Sequence, residues 1–466
     1  MLLKYFYDRA LAQASYFVGC QQTGEAVLID PMRDISPYLA AAAEEGMTIV
    51  AITETHIHAD FVSGARELAA CTGAPLYLSG EGGPDWSYTF LDPGRGDRAL
   101  YDGDHFMVGN VRIDVLHTPG HTPEHLCFIV TDTKGANRPL GIFTGDCVFV
   151  GDMGRPDLLE TAAGVIGSAQ VGAHGQWLNM LKFQAMPDYL QIYPGHGAGS
   201  ACGKALGAIP TSTVGYEKMF NPAFQFTDES SFVRWMLSGQ PETPHYFKHM
   251  KRINKIGAPL LADLPVPQPM EGFILGDVLK SDANLIDARP DMRDGSVIGG
   301  SLRIFPTNKF NTYAGWMVDY DLPTYLIVDM DGLPELLKSL RAVGVDQVEG
   351  YFPPAEVESA ERLLPHTDVE GARALIVSGA ALLDVRAASE YDDGHIADAV
   401  NIPYGLISAN IAHLPRETPL IVYCQSGVRS AIATSLLVKL GFSNVVNLNG
   451  GFDAWQKANQ SRSSMP

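Results

Sequence analysis

The chain has 466 residues, enough for two to four domains, and its 46% hydrophobic and 18% charged residues are typical of globular domains. Its formal net charge of −20 argues against nucleic acid and anionic membrane surfaces as partners. No apolar run approaches the ~20 residues needed to span a bilayer.

The N-terminal residues and the cysteines both favour a cytoplasmic protein. The first twenty residues contain Asp8 and have no uninterrupted apolar core, so we expect no secretion signal. The six cysteines form no C-x-x-C pair, which predicts reduced thiols rather than a disulfide framework.

In the first ~240 residues, short apolar runs alternate with turns, and six of these runs are predicted to be buried strands. Several end directly in aspartate, histidine or Thr-Glu, and α/β folds place their chemistry at such strand ends. The predicted strands are 25–30, 48–55, 111–118, 126–132, 140–146 and 190–196.

A proline-rich segment at about 255–270 is predicted to be a linker, and an internal repeat follows it. Residues 284–305 recur as 381–403, and 324–352 recur as 419–452. Each copy reads as strand, loop, strand, helix and strand, which predicts a small parallel α/β domain made twice. We therefore expect three domains, at 1–255, 270–355 and 366–466.

Histidines and aspartates recur at the predicted strand ends, and together they predict a metal site. The adjacent His117 and His125 are expected to pack or to orient ligands, and Cys147 is expected to be in the core. The candidate ligands are His56, His58 and Asp60 in H-x-H-x-D, His121 in TPGH, Asp146 in TGD and His196 in PGH.

This ordered set resembles the metallo-β-lactamase fold superfamily, which implies an αββα sandwich in the first half of the chain. In two-metal members, a histidine follows the position of Asp60, but this chain has Phe61 there. A phenyl ring has no lone pair, so Phe61 favours one metal over two. Two histidines and one carboxylate leave three coordination positions open, which suits non-haem iron, although hydrolases with a single zinc also exist.

Four segments around these residues resemble the persulfide dioxygenases. The resemblance implies one Fe(II) per chain held by His56, His121 and Asp146. It makes His58, Asp60 and His196 groups that orient ligands or water, or the remnant of a second metal site. Arg155 and Asp157 match a segment on the substrate side, and a surface salt bridge is the alternative. Cys202 lies in a glycine-rich loop and is either a buried inert thiol or a thiol in the substrate pocket.

A second reactive site is predicted near the C-terminus, where Cys424 ends an apolar strand and a helix follows at once. The loop Gln425, Ser426, Gly427 and Val428 leads to Arg429, and its N–H groups form an anion-binding nest that favours a thiolate or persulfide. Arg429 and the helix dipole are expected to make Cys424 a nucleophile, so Arg429 is a predicted catalytic residue. The segment resembles a rhodanese domain. Loops of this kind also occur in phosphatases, but the C-x₄-R ring is one residue smaller and suits sulfur better.

The rest of the repeat is expected to support this site. Asp384 and Arg386 are expected to stabilise the second copy. The first copy has Asp329 and Met330 where the cysteine would stand, so it resembles an inactive rhodanese domain with a structural role.

Together the resemblances imply consecutive chemistry on one sulfur atom. A persulfide of a low-molecular-weight thiol, of the glutathione or coenzyme A type, reacts with O₂ to give sulfite, and Cys424 transfers sulfane sulfur to sulfite to give thiosulfate. We expect a homo-oligomer. The alternatives are a glyoxalase II-like thioester hydrolase fused to a sulfurtransferase, and a sulfur carrier whose metal domain is degenerate.

Overall fold

The computed structural model describes residues 1–290 and 295–463, and the chain divides into two compact units. The first holds Met1–Leu264 with the segment Arg341–Gly344, and the second holds Pro265–Leu340 and the chain from Val345 onward. Residues 291–294 of the predicted repeat 284–305, and the last three residues of the predicted domain 366–466, lie outside the described residues.

The first unit begins with a six-stranded sheet in which the strands lie in chain order. The first three strands are antiparallel and the remaining three run parallel to the third. They are β1 (Leu2–Asp8), β2 (Gln13–Cys20), β3 (Glu25–Ile29), β4 (Thr48–Thr53), β5 (Leu76–Ser79) and β6 (Arg98–Leu100).

A second six-stranded sheet has the order β14-β13-β10-β9-β8-β7. A short hairpin, β11–β12, follows β10. All six predicted strands are confirmed within these two sheets. The elements are β7 (His105–Val108), β8 (Val111–His117), β9 (Leu126–Asp132), β10 (Gly141–Gly145), β11 (Val148–Phe149), β12 (Asp152–Met153), β13 (Gln191–Pro194) and β14 (Ser212–Thr213).

Helices cover the outer faces of both sheets, which confirms the predicted αββα sandwich. A core that includes Tyr16, Phe106 and Phe128 fills the space between the sheets. Helices α1 and α2 pack on the first sheet, and α4, α5 and α6 pack on the second. The helices are α1 (Ser36–Glu45), α2 (Ala65–Thr72), α3 (Leu158–Ala163), α4 (Ser168–Ala185), α5 (Val214–Phe220), α6 (Glu229–Leu237) and α7 (Phe247–Ile256).

The second unit contains two five-stranded parallel sheets with matching strand orders, β15-β20-β19-β16-β18 and β22-β26-β25-β23-β24. Strands β17 and β21 form a separate antiparallel pair. The strands are β15 (Gln268–Pro269), β16 (Asn284–Asp287), β17 (Ser296–Ile298), β18 (Leu302–Arg303), β19 (Thr324–Ile327), β20 (Val348–Phe352), β21 (Glu361–Leu363), β22 (His366–Thr367), β23 (Ala381–Asp384), β24 (Val400–Asn401), β25 (Leu420–Tyr423) and β26 (Val445–Leu448).

Each sheet of the second unit has its own helices, so the sequence repeat is a repeat of topology. The predicted linker 255–270 overlaps the end of α7 and contains β15. The helices are α8 (Leu275–Lys280), α9 (Phe310–Met317), α10 (Leu333–Ala342), α11 (Pro354–Val357), α12 (Val369–Val377), α13 (Ala388–Asp392), α14 (Ile407–Asn410), α15 (Val428–Lys439) and α16 (Gly451–Ser463). None of the described helices is long and apolar enough to cross a membrane.

Candidate functional site

Three buried side chains converge at the ends of the sandwich strands. His56 follows β4, His121 lies between β8 and β9, and Asp146 follows β10. One potential ligand atom from each lies within 4.8 Å of the others. The Nε2 atoms of both histidines and Oδ2 of Asp146 have no hydrogen-bond partner among the described residues. Buried polar atoms without partners are costly, so three of them at one point fit a metal ion.

The electrostatics of these three residues favour the protonation states that bind metals. Burial lowers the pKa of His56 far below its ordinary value, and it lowers the pKa of His121 to about 4. Burial alone would raise the pKa of the Asp146 carboxyl. The neighbouring imidazoles, of which His196 has the largest effect, outweigh burial and hold this pKa well below its usual range. Neutral imidazoles and an ionised carboxylate are the forms that ligate metals.

Second contacts fix the orientation of each candidate ligand. Nδ1 of His121 lies 2.9 Å from the carbonyl oxygen of Arg155, and Nδ1 of His56 lies 3.0 Å from Oγ1 of Thr55. The backbone N–H of Asp146 donates to Nε2 of His125 at 3.1 Å. Such contacts leave the opposite imidazole nitrogen of each ligand available to a metal. The structure thus places His125 in an orienting contact, as the sequence predicts.

The other flanking residues lie in packing positions. Nε2 of His117 lies 2.8 Å from the carbonyl oxygen of Pro123, away from the three candidate ligands. Cys147 belongs to the core between the second sheet and its helices. Neither residue is brought into the candidate metal site.

Asp60, His196 and Cys202 form a second buried group with potential ligand atoms within 4.8 Å of one another. The imidazole of His196 lies between two carboxylates, with Nδ1 2.8 Å from Oδ1 of Asp146 and Nε2 2.7 Å from Oδ2 of Asp60. Burial lowers the pKa of His196, but the two carboxylates outweigh it and raise the pKa well above its ordinary value. The two carboxylates therefore favour the protonated form of this imidazole beside the candidate metal site.

The structure decides the position of Cys202, which the sequence left open. Its side chain is 1% exposed and lies next to the Asp60 and His196 side chains, at the candidate metal site rather than in a remote core. Burial raises the pKa of this thiol well above its ordinary value, and the nearby carboxylates of Asp60 and Asp146 raise it further. The side chain is therefore a neutral thiol in this arrangement.

His58 is held by Asp30, a residue that the sequence analysis missed. The ring centroid of His58 lies 4.2 Å from that of His56, and its Nδ1 has no hydrogen-bond partner among the described residues. Nε2 of His58 lies 3.1 Å from Oδ1 of Asp30, which also accepts the N–H of Thr55 at 2.7 Å. Burial lowers the pKa of His58, but Asp30 outweighs it and raises the pKa to about 9. The ring of Phe61 is 1% exposed and its centroid lies 4.4 Å from that of His58. The only sequence signal for Asp30 was its position at the end of β3.

Arg155 and Asp157 form an ion pair, but Arg155 is 1% exposed, so the pair is buried rather than on the surface. Nε and Nη2 of Arg155 donate to the two carboxylate oxygens of Asp157 at 2.8 and 2.6 Å. Nη1 of Arg155 donates to the carbonyl of Ala201, and its backbone N–H donates to that of Cys202. These contacts hold the loop that carries Cys202, so the predicted substrate contact remains a prediction.

The second candidate site is the loop that joins β25 to α15. The buried Sγ of Cys424 accepts the backbone N–H of Gly427 at 3.2 Å and lies 3.5 Å from Oγ of Ser430. Gly427 has φ +99°, a left-handed conformation that glycine adopts without strain, and this lets the chain turn directly into α15. Ser426 is exposed and Val428 is the first residue of α15. Among the described residues, one loop N–H, that of Gly427, contacts the sulfur, and the predicted nest of several N–H groups stays a prediction.

Two ion pairs hold this loop in position. Arg429 donates from both terminal nitrogens to Glu390, at 2.6 and 2.7 Å, and the sequence analysis missed Glu390 as its partner. Arg386 pairs with Asp384 at 2.6 Å and also donates to Oε1 of Gln425 at 2.9 Å. Bidentate guanidinium–carboxylate pairs fix both partners, so these contacts orient the loop around Cys424.

The first repeat retains the supporting ion pair but has no thiol at the matching position. Arg289 pairs with Asp287 as Arg386 does with Asp384, at 2.8 Å. The strand pairing aligns Ile327 with Tyr423, so the buried Val328, rather than the predicted Asp329 and Met330, lies at the position of Cys424. Asp329 and Met330 follow it and are exposed. This arrangement provides no nucleophile.

Comparisons with known proteins match both parts of the chain. Residues 8–196 match the metallo-β-lactamase superfamily, and residues 368–458 match the rhodanese-like domain. A solved metallo-β-lactamase from Staphylococcus aureus subsp. aureus COL is 41% identical, with a TM-score of 0.67, over 76% of this chain and 98% of that one. The chain therefore belongs to the metallo-β-lactamase superfamily and carries a C-terminal rhodanese-like domain.

Two curated relatives differ in their named activities. The mitochondrial persulfide dioxygenase ETHE1 of Homo sapiens is 27% identical over 51% of this chain and 80% of the relative. A hydroxyacylglutathione hydrolase of Rhodospirillum rubrum is 32% identical over 39% of this chain and 60% of the relative. The chain spans about three fifths of the length of several curated relatives that it matches, this hydrolase included.

Proposed function

We propose that the chain is an iron-dependent persulfide dioxygenase with a coupled sulfurtransferase activity. In the first reaction, R–S–SH, O₂ and water give the thiol R–SH and sulfite. In the second, another R–S–SH and sulfite give R–SH and thiosulfate. The observation that carries the proposal is the group of three buried, unpartnered ligand atoms of His56, His121 and Asp146, in a chain that also carries the Cys424 loop.

The ligand set supports iron as the metal. Two imidazoles and one carboxylate are the facial donor set of non-haem iron oxygenases, and iron bound there would supply the redox chemistry with O₂. Phe61 provides no ligand for a second ion. The imidazole of His196 contacts Asp60 and Asp146 through its two nitrogens, at 2.7 and 2.8 Å. The relative ETHE1, a persulfide dioxygenase by name, supports the same reading.

The residues around the candidate metal would bind and orient the persulfide. Cys202 presents a neutral thiol beside Asp60 and His196, and we propose that it contacts the sulfur end of the substrate. The buried Arg155–Asp157 pair keeps the Cys202 loop in place through the carbonyls of Ala201 and Cys202.

Sulfur transfer would proceed through Cys424 in two displacements. The Cys424 thiolate attacks the terminal sulfur of R–S–SH, the S–S bond breaks, and the thiol leaves with the proton. The sulfite sulfur then attacks the terminal sulfur held on Cys424, which forms thiosulfate and restores the thiolate. The N–H of Gly427 and the N-terminus of α15 stabilise the anionic sulfur in both states.

Metal content and oxygen uptake test the dioxygenase. Protein purified without oxygen should hold about one iron per chain and consume O₂ when a persulfide is added. His121→Ala should lose the iron, because one of three protein ligands disappears. His117→Ala is the matched control, since His117 contacts Pro123 instead, and it should retain iron and activity. Two tightly bound zinc ions per chain, both needed for activity, would contradict the proposal.

The second candidate is a glyoxalase II-like thioester hydrolase fused to a sulfurtransferase. The relative from Rhodospirillum rubrum, a hydroxyacylglutathione hydrolase by name, favours it. Such an enzyme needs a metal-bound hydroxide rather than O₂. Hydrolysis of a hydroxyacyl thioester of glutathione at a rate unaffected by removal of oxygen, with no O₂ uptake on persulfide, would favour the hydrolase.

A further inference from the structure

A cavity of about 190 Å³ lies in the second unit between the two repeats. Both repeats contribute to its lining, so neither encloses it alone. The lining residues that matter below are Ser296, Arg303 and Phe305 from the first repeat, and Ser426, Gly427 and Asn447 from the second.

The amide of Asn447 gives this cavity an unsatisfied acceptor. The side chain is 6% exposed, and its Oδ1 has no hydrogen-bond partner within the described part of the chain. Its Nδ2 lies 3.4 Å from Oδ1 of Asn449, which also lines the cavity. A buried carbonyl oxygen without a donor is costly, so the cavity favours a ligand that presents an N–H or O–H group.

The charge and shape of the lining favour an uncharged ligand. Arg303 is the cationic side chain in the lining, but its Nη1 donates to Oδ1 of Asp287 at 2.9 Å. Its guanidinium also lies over the ring of Phe305, 4.5 Å from the centroid. The aspartate balances the charge, so the cavity offers little attraction to an oxyanion. The rings and methyl groups of Phe305, Leu364 and Ala431 provide apolar contact beside the polar amide.

The cavity adjoins the sulfur-transfer loop. Ser426 and Gly427 both line it, and the N–H of Gly427 donates to Sγ of Cys424. The cavity therefore borders the loop that follows Cys424, while Cys424 itself is not one of its lining residues. A molecule that exchanges sulfur with Cys424 could place its remaining atoms there.

We propose that this cavity binds the uncharged, amide-bearing arm of the thiol whose persulfide exchanges sulfur with Cys424, and that Asn447 accepts an amide N–H from it. The proposal rests on the sulfur transfer proposed above and names its substrate class. It also gives the first repeat a function, because Ser296, Arg303 and Phe305 form one wall of the site. Asn447 is then a specificity-determining residue.

Sulfur transfer by the full chain without oxygen, with sulfite as acceptor and thiosulfate as the measured product, tests this proposal. The donors are the persulfides of pantetheine, which is uncharged and carries amides, and of 2-mercaptoethanol, which carries none. Asn447→Leu should raise KM for pantetheine persulfide about tenfold, the effect of one hydrogen bond, and leave kcat unchanged. KM for 2-mercaptoethanol persulfide should not change. Asn444→Leu is the control, since Asn444 is exposed and outside the cavity lining.

A second variant makes the test independent of the folding of Asn447→Leu. Ser296→Phe fills the cavity from the first repeat and should raise KM for pantetheine persulfide while sparing 2-mercaptoethanol persulfide. If KM for both donors is unchanged from the parent in both variants, the cavity assignment is overturned and sulfur transfer by Cys424 still stands. Thiosulfate formation that persists in Cys424→Ser would instead overturn the transfer itself, and the cavity assignment with it.

Discussion

Asp60 and His196 contact each other directly, with Nε2 of the imidazole 2.7 Å from Oδ2 of the carboxylate. The two atoms therefore contact each other, within the group in which Asp60, His196 and Cys202 place potential ligand atoms within 4.8 Å of one another. The neighbouring residue, Phe61, offers no lone pair in their place. Phe61 thus leaves this group without the histidine that two-metal members of the superfamily carry after the aspartate.

Phe61→His should restore a second-metal ligand. We expect the variant to bind a second divalent ion, because Asp60, His196 and the new imidazole would then form a three-residue set. Metal analysis of protein loaded with excess zinc gives the ratio per chain. Phe61→Leu, which adds no nitrogen, is the matched control and should stay at one ion. A variant with histidine that also stays at one ion would contradict this role of Phe61.

Cys202→Ser should lower oxygen uptake and leave the iron bound. Serine is close to isosteric, so the buried loop should keep its fold, but a hydroxyl cannot make the same contact with a sulfur substrate. Oxygen-electrode rates at subsaturating persulfide, with iron measured on the same samples, provide the check. Cys147→Ser is a useful control, since that thiol lies in the core behind the sheet. An unchanged rate would make Cys202 a structural residue.

Glu390→Gln should slow sulfur transfer without affecting oxygen uptake. The change removes the charge that holds both terminal nitrogens of Arg429, and a charge-assisted pair of this kind is worth about a tenfold effect. Thiosulfate formation and oxygen consumption are measured side by side. The account fails at this point if the two activities fall together, since Glu390 lies in the second unit.

Glu124 should make stability decrease as pH rises. Burial raises the pKa of this carboxyl from 4.5 to about 7, although the N–H of Ile57 partly offsets it. The folded state therefore prefers the neutral acid. The stability that this preference contributes is lost as pH rises from about 4.5 through about 7. Glu124→Gln keeps the acceptor for Ile57 and cannot ionise. Relative to the parent, it should gain about 3 kcal/mol above this range and nothing below it, by denaturant unfolding. The same stability difference between Glu124→Gln and the parent below and above this pH range would contradict the prediction.

Local patterns were sufficient to predict the strands and a set of six candidate ligands, while the resemblance to known families implied the αββα sandwich and the choice of three ligands. Apolar runs that end in histidine or aspartate placed His56, His121 and Asp146 at strand ends, and the structure brings them together. The Cys424 loop could be predicted in the same way, because six consecutive residues form it.

Residues that act across long separations could not be predicted in the same way. Asp30 holds His58 from 28 residues away and Glu390 holds Arg429 from 39 residues away. The local sequence around His58 and Arg429 does not indicate the partner residue, because the pairing depends on which strands become neighbours. The cavity beside Cys424 needs walls from both repeats, so no single motif could indicate it.

Product analysis of Cys424→Ser tests the central claim, which is that one chain carries two separable sulfur chemistries. Serine cannot carry a transferable sulfane sulfur, and the candidate metal ligands share no residue with the Cys424 loop. Given persulfide and O₂, the variant should consume oxygen as the parent does and accumulate sulfite, while the parent also makes thiosulfate. Thiosulfate made by the variant at the parental rate would contradict the account.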